Sequence, residues 1–197
     1  MNAIPPSAVI TAFSDARDER LAARDLAQKL RHDNLGCVLF FCSIDYRLDR
    51  LAGALAEAFG DLPLCGCTSA GEITSRGYDS GTIVAIGFDR RFFSVGARLI
   101  ERLDGFSLAD AQQLTDSLLC ECRAASVARV DADNTFVLTL LDGLSVNEEL
   151  VLATLNSALG SITSLGGSAG DDYRLSGTYV YSDGAFHSNA AMVLMIN

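Results

Sequence analysis

The chain has 197 residues, of which 49% are hydrophobic and 20% charged, and its formal net charge is −10. This composition excludes a disordered chain, and the acidic balance disfavours nucleic-acid binding, which requires concentrated positive charge. No apolar run approaches the roughly 18 residues of a membrane span, and residues 1–6 lack the basic start of a secretory signal. We therefore expect a cytoplasmic protein with no nucleic-acid partner and no membrane insertion.

The first half of the chain, about residues 1–90, alternates apolar strands with amphipathic helices. Ser14 or Asp15 is a suitable N-cap for the first helix, and Gly60 is a suitable stop for the second. The patterning predicts strands at 8–13, 37–42, 62–65 and 81–88, and helices at 15–31 and 46–59. The third strand opens into a glycine-rich turn at 66–72.

The second half, residues 91–197, repeats this order. Ser107 is the predicted cap of its first helix, and Gly160 ends its second. The pattern predicts strands at 92–103, 135–141, 162–165 and 190–196, and helices at 107–125 and 145–159. A second glycine-rich turn follows at 166–172, and a hairpin-like stretch precedes the last strand.

The two halves match at an almost constant spacing of about 100 residues. Gly66 matches Gly166, and after one dropped residue the Ser-Ala-Gly of 69–71 matches that of 168–170. This repeat is too long for a solenoid and predicts one α/β domain, residues 1–197, with two pseudo-symmetric β-α-β-α-β-loop-β halves. Apolar strands joined through helices predict largely parallel pairing with right-handed connections.

The two glycine-rich turns are the candidate ligand site. Ligands of α/β sheets bind at the carboxyl ends of strands, where these turns lie. Glycine permits close backbone approach, while hydroxyls and carboxylates provide polar contacts. The candidate ligand-binding residues are Thr68, Ser69, Ala70, Gly71 and Glu72 in the first turn, and Ser168, Ala169, Gly170, Asp171 and Asp172 in the second. The alternative is that a duplicated fold simply needs the same tight turn twice.

A weaker motif in the second turn points to hydrolysis. Residues 166–170 match the G-x-S-x-G nucleophile elbow, with Ser168 as the nucleophile. That motif requires a strand-to-helix turn, whereas the following residues read as loop and strand. The downstream histidine, His187, is only 19 residues away. We therefore expect no catalytic residue here and keep a hydrolase as a lesser alternative.

Neither the cysteines nor the histidines form a metal signature. Cys65 and Cys67 form one C-x-C pair and Cys120 and Cys122 another, but no C-x-x-C is present. Free cysteine behaves as a small buried hydrophobe, so we expect reduced thiols and no bound metal. His187 lies beside an apolar strand and is either a structural residue or an axial ligand of non-covalent haem.

The paired motifs also resemble a known family. Gly66-Cys-Thr-Ser-Ala-Gly-Glu-Ile73, Leu165-Gly-Gly-Ser-Ala-Gly-Asp-Asp172 and the closing segment from Asp183 are similar to the N-terminal FIST domain. The resemblance covers residues 9–196 and implies an intracellular sensory domain that binds a small ligand, with amino acids proposed. One branch of the family binds haem and senses nitric oxide, and a C-terminal companion domain ordinarily follows.

Three classes of function are left open by the sequence. The favoured class is a sensory domain that binds a small amino-acid-like molecule and feeds signal transduction, with no cofactor. Its main alternative is a haem-based nitric oxide sensor with His187 as the ligand. An enzyme and a protein-interaction module are the other two classes. We expect a companion domain, absent from this chain, and a signalling output protein that the sequence does not identify.

Overall fold

The computed structural model describes residues 7–125 and 127–197. The prediction that no secretory signal starts at residues 1–6 therefore lies outside the described residues. None of the helices within those two ranges is both long enough and apolar enough to cross a membrane.

The first half follows the predicted order, with a short hairpin where a loop was expected. Its elements are β1 (Val9–Ser14), α1 (Glu19–Leu30), β2 (Leu35–Ser43), α2 (Leu48–Phe59), β3 (Leu64–Ser69), β4 (Glu72–Thr74), β5 (Gly77–Asp79) and β6 (Ile83–Asp89). The expected cap of α1 at Ser14 or Asp15 is wrong, because Asp18 accepts the backbone N–H of Leu21 at 3.0 Å.

The second half has the same order of elements. They are β7 (Val95–Ile100), α3 (Leu108–Ala125), β8 (Phe136–Leu141), α4 (Glu148–Leu159), β9 (Thr163–Ser168), β10 (Val180–Ser182), β11 (Ala185–His187) and β12 (Ala191–Ile196). Ser107 caps α3 as predicted: its hydroxyl accepts the N–H of Asp110 at 3.3 Å, and the Asp110 carboxylate accepts the N–H of Ser107 at 2.9 Å.

Each half builds its four main strands into a sheet of the same order and direction. The first sheet contains β1-β6-β2-β3 and the second contains β7-β12-β8-β9. The α/β class is confirmed, but the expectation of largely parallel pairing is wrong. Only β2 with β3 and β8 with β9 pair in parallel within the described ranges. The reason is that the last strand of each half inserts antiparallel between strands that a helix connects.

The two sheets pack face to face between two layers of helices. One apolar cluster joins α1 and α2 to the outer face of the first sheet, and another joins α3 and α4 to the outer face of the second. A third cluster lies between the sheets, with Leu39 from β2 and Leu194 from β12 among its members. The carboxyl ends of the parallel strands β3 and β9 lead directly into the candidate site.

Candidate functional site

The glycine-rich segments begin as strands rather than as turns. Gly66 lies within β3 and Gly166 within β9, and both pair with the neighbouring parallel strand. A Cβ atom on Gly66 would collide with the carbonyl oxygen of Phe40, and one on Gly166 with that of Thr139. The expectation that these glycines form tight turns is therefore wrong. They permit close approach of two strands, at the same position in both halves.

The true turns begin at residue 70 in the first half and at residue 169 in the second, and they touch. Gly170 donates its N–H to the carbonyl of Thr68 at 2.9 Å. The N–H of Thr68 is donated in turn to the carbonyl of Tyr179 at 2.9 Å, and Tyr179 donates its N–H to the Thr68 hydroxyl at 3.1 Å. A Cβ on Gly170 would lie 2.8 Å from the nitrogen of Ala70. The structure thus brings Thr68, Ala70 and Gly170 together, but the polar groups of Thr68 and Gly170 hold the two halves against each other.

Glu72 is the most unusual residue of the first segment. Its side chain is buried, at 2% relative exposure. The carboxylate accepts the Ser69 hydroxyl at 2.8 Å, the Thr82 hydroxyl at 2.8 Å and the Thr82 N–H at 3.2 Å. Burial nevertheless raises the pKa of Glu72, because desolvation outweighs the bonds from Ser69 and Thr82 that favour the charged form. Glu72 is therefore a buried carboxyl group that a nearby cation would stabilise.

Asp171 occupies the matching position in the second half and plays a different part. Its carboxylate accepts the N–H groups of Leu175 at 3.1 Å, Ser176 at 2.7 Å and Gly177 at 3.2 Å. These bonds, the one from Ser176 foremost, lower the pKa of Asp171. Leu175 has a positive φ of 53°, which a non-glycine residue rarely adopts. Asp171 therefore anchors a constrained loop.

The remaining predicted residues of the second segment are divided between core and surface. Ala169 is buried and donates its N–H to the carbonyl of Leu141 at 2.7 Å. Ser168 is exposed and donates its hydroxyl to the Glu148 carboxylate at 2.6 Å. Asp172 is half-buried and lies 3.9 Å from the guanidinium of Arg174. These three side chains do not converge on one point.

A cavity of about 670 Å³ adjoins the first segment. Ser69, Gly71 and Glu72 form part of its wall, whereas the five candidate residues of the second segment do not. The rest of the wall comes mainly from the inner face of the first sheet, with Thr11, Phe13, Phe41, Val84 and Ile86 as its main members. None of these five wall residues was among the residues predicted from the sequence. The alternation of Thr11 with Phe13 and of Val84 with Ile86 was the available signal, since residues i and i+2 share one face of a strand.

Two cations lie at the Phe13 side of this cavity. Lys29 donates from Nζ to the carbonyl of Phe13 at 2.7 Å and lies 5.3 Å from the centre of its ring. Arg76 lies 4.7 Å from the same ring and pairs with Asp15 at 2.8 Å. Both contacts are cation–π interactions. The cavity thus combines an apolar wall, a buried carboxyl group and cations at its edge.

The geometry around Ser168 does not match a nucleophile elbow. Ser168 ends β9, and the described residues that follow, 169–179, form a loop rather than a helix. Its hydroxyl bonds a carboxylate of α4 rather than a histidine. A hydrolase that uses Ser168 therefore has no support from the local structure.

His187 is placed on the hairpin β10–β11 and not at the cavity. It lies opposite Val180, and its Nε2 is 3.3 Å from the carbonyl oxygen of Ser182. Because an axial haem ligand needs a free ring nitrogen that faces an open pocket, this placement does not favour haem. Haem stays a prediction of the family resemblance.

Comparison with solved structures finds distant similarities. The chain resembles a cyanuric acid hydrolase from A. caulinodans at 10% identity and a TM-score of 0.47, over 96% of this chain and 70% of that one. A second cyanuric acid hydrolase structure has 11% identity and a TM-score of 0.45, over 100% of this chain and 71% of that one. Similarity at this level carries no argument about the chemistry of this protein. No curated protein matches the chain in sequence.

The model of the FIST N domain matches residues 36–197, which include the two parallel strand pairs, both candidate segments and the closing strand β12. This chain therefore belongs to the FIST N domain family, a family of sensory domains in signal transduction.

Proposed function

We propose that the chain is a sensory domain that binds a small, amino-acid-like molecule in the cavity beside Glu72. The observation that carries this proposal is the buried carboxyl group of Glu72 in the wall of a cavity of about 670 Å³. A volume in this range is typical of small-molecule sites, which are mostly apolar with a few placed polar groups.

The two ends of an amino acid suit different parts of the cavity. An ammonium group would meet the Glu72 carboxylate and the Ser69 hydroxyl, which already bond each other at 2.8 Å. A charge-assisted hydrogen bond of this kind contributes roughly 1.5–3 kcal/mol. The ligand carboxylate would face Lys29, which lines the cavity and also pairs with Asp25 at 2.7 Å. The apolar strand residues would contact the ligand side chain.

Ligand charge and the state of Glu72 are coupled in this proposal. Burial raises the pKa of Glu72, and a neighbouring ammonium group favours the ionised carboxylate. Binding of a cationic group should therefore release a proton and strengthen as the pH rises through the pKa of Glu72. A signalling output protein would then read the occupied state.

The test is a thermal-shift screen of amino acids and related metabolites, followed by calorimetric titration of each hit. Glu72→Gln keeps the shape of the side chain but removes its charge, so we expect affinity for a hit to fall about 10- to 100-fold. Glu57→Gln is the matched control, because Glu57 is largely exposed on α2. Equal affinities of the wild type and Glu72→Gln would contradict the proposed site.

An absorption spectrum of the purified protein separates the alternatives. A Soret band that is lost in His187→Ala would support the haem alternative over an amino-acid ligand. A protein without such a band that responds to an amino acid would support the proposal.

A further inference from the structure

The two halves carry equivalent hairpins that differ in their surroundings. The hairpin β4–β5 and the hairpin β10–β11 both lie between the third strand and the last strand of their half. Each places two large apolar side chains directly opposite each other. In the first hairpin these are Ile73 and Tyr78, and in the second they are Tyr181 and Phe186.

The second hairpin is docked onto the first half. Strand β10 pairs antiparallel with β3, so that Tyr181 lies opposite Gly66. The Tyr181 side chain is 1% exposed, and its ring centre lies 5.1 Å from that of Phe40. Phe186 completes the cluster, 5.1 Å from Tyr181 and 6.2 Å from Phe40. The second hairpin therefore covers both the edge and the aromatic core of the first sheet.

The first hairpin has no such cover. Ile73 is 83% exposed and Tyr78 is 72% exposed. Within residues 7–125 and 127–197, β4 and β5 pair only with each other. Two large apolar side chains on a free hairpin are characteristic of an interaction site.

The edge that would receive the first hairpin is also open. Strand β9 takes the place of β3 in the second half, and in the described part of the chain it pairs only with β8. Leu165 is 55% exposed, whereas its counterpart Cys65 is 3% exposed. Gly166 and Gly167 are exposed as well. An exposed, uncharged edge strand of this kind is a template for pairing with another strand.

The residue beside β9 is smaller than its counterpart in the first half. Thr139 pairs with Gly166 as Phe40 pairs with Gly66, so a small residue stands where the first half has an aromatic ring. The Thr139 hydroxyl is buried and has no hydrogen-bond partner. Among the described residues, the ring contact of Phe40 with Tyr181 therefore has no counterpart beside β9.

We propose that a second copy of this chain completes it. The hairpin β4–β5 of one copy adds antiparallel to β9 of the other, in the manner in which β10 adds to β3 within one chain. By the register of that internal contact, Ile73 lies opposite Gly166 and Thr74 lies opposite Leu165. The occupant is a second copy because the described part of each chain holds one such hairpin and one such edge, and the contact repeats the β10–β3 pairing that the chain makes within itself. The hairpin carries Glu72, and Ile73 and Thr74 also line the cavity, but this inference requires no bound ligand.

The experiment is sedimentation velocity of the full chain over a wide range of concentrations. Ile73→Lys places a charge on the hairpin, and Leu165→Lys places one on the edge, where lysine blocks strand addition. The control is Leu21→Lys, since Leu21 is 58% exposed on α1 and belongs to neither surface. Circular dichroism establishes that all three variants fold.

We expect the wild type and the control to associate, and each interface variant to associate at least about 10-fold more weakly. An equimolar mixture of the two interface variants should regain part of the association, because the hairpin of Leu165→Lys meets the intact edge of Ile73→Lys. A wild type that stays monomeric at every concentration overturns the proposal. So does association that is lost in Leu165→Lys alone, since that result means that two β9 edges pair with each other.

Discussion

The third strands of the two halves, β3 and β9, occupy the same place in the topology but different environments. The four central residues of β3 are buried, whereas β9 is exposed along most of its length. The difference comes from one hairpin, because β10 covers the edge of β3 and no described strand covers the edge of β9. A duplicated order of elements therefore does not produce two equivalent surfaces.

The matching acidic residues show the same divergence. Glu72 lines a cavity and has a raised pKa owing to burial, whereas Asp171 bonds three backbone N–H groups, which lower its pKa. The carboxyl group of the first half is the one that we propose contacts a ligand. The other has placed its carboxyl group in the support of a loop.

The largest expected difference between the halves concerns the hairpin side chains. Tyr181→Ala should lower the free energy of unfolding by about 3–5 kcal/mol, as is usual for a large buried aromatic residue. Ile73→Ala, at the equivalent hairpin position, should change it by less than about 0.5 kcal/mol in the monomer, because the side chain is exposed. Urea unfolding measures both free-energy changes, at a protein concentration low enough to exclude association. Tyr181→Phe serves as the control and should remain close to the wild type, and similar losses in both alanine variants would contradict the comparison.

The strand glycines test whether an edge strand tolerates strain better than a covered one. A Cβ on Gly66 would collide with the Phe40 carbonyl and lie 2.7 Å from its ring, whereas one on Gly166 meets only the Thr139 backbone. We expect Gly66→Ala to lower the free energy of unfolding by about 3 kcal/mol. Gly166→Ala should lower it by only about 1 kcal/mol, because β9 is an edge strand that can shift outward. Gly167→Ala is the control, because a Cβ there has no neighbour within 4 Å. Equal losses at both sites would show that the covering hairpin adds no rigidity.

Glu72 and Asp171 should give pH dependences of opposite sign. The folded-state pKa of Glu72 is raised above its ordinary value of 4.5, so its ionisation costs stability above that pKa. This cost is relieved as the pH falls through the raised pKa toward 4.5. Glu72→Gln should remove this gain in stability at falling pH. Urea unfolding at a series of pH values from neutral down to about 4.5 would measure it.

The folded-state pKa of Asp171 is lowered below 3.8, so its contribution is present above 3.8 and is lost as the pH falls through the lowered pKa. Asp171→Asn should therefore lower the free energy of unfolding at neutral pH. It should also weaken the loss of stability with falling pH below 3.8. A matching slope for both variants would mean that the two carboxyl groups share one role.

Thiol labelling measures exposure most directly, and the variants it needs should change stability least. Burial raises the pKa of Cys67 to about 12, so the thiol is protonated at neutral pH as well as inaccessible. In a Cys120→Ser background, which removes the exposed native thiol, Cys65 and Cys67 should resist alkylation. Leu165→Cys, at the position of Cys65, should react rapidly when followed by mass spectrometry. Protection of this new thiol at high concentration alone would instead report the proposed contact between copies.

Much of this architecture follows from local patterning. The apolar strands, the two helices of each half and the Ser107 cap depend on neighbours a few residues away, so the sequence predicts them. The acidic residues at 72 and 171 were identified in the same way. The different roles of those two residues were not predicted, because they depend on contacts with Thr82 and with the loop at 175–177.

The sequence by itself determined the order of the helices and main strands, the repeat and the family to which the chain belongs. Only the tertiary structure decided the antiparallel insertion of β6 and β12, the wall of the cavity and the exposure of β9. These features join residues far apart in the chain, such as Tyr181 with Gly66, and no local periodicity encodes such a pairing. The physical reason is that a strand edge looks the same in sequence whether or not another strand covers it, since its backbone N–H and carbonyl groups are common to every residue.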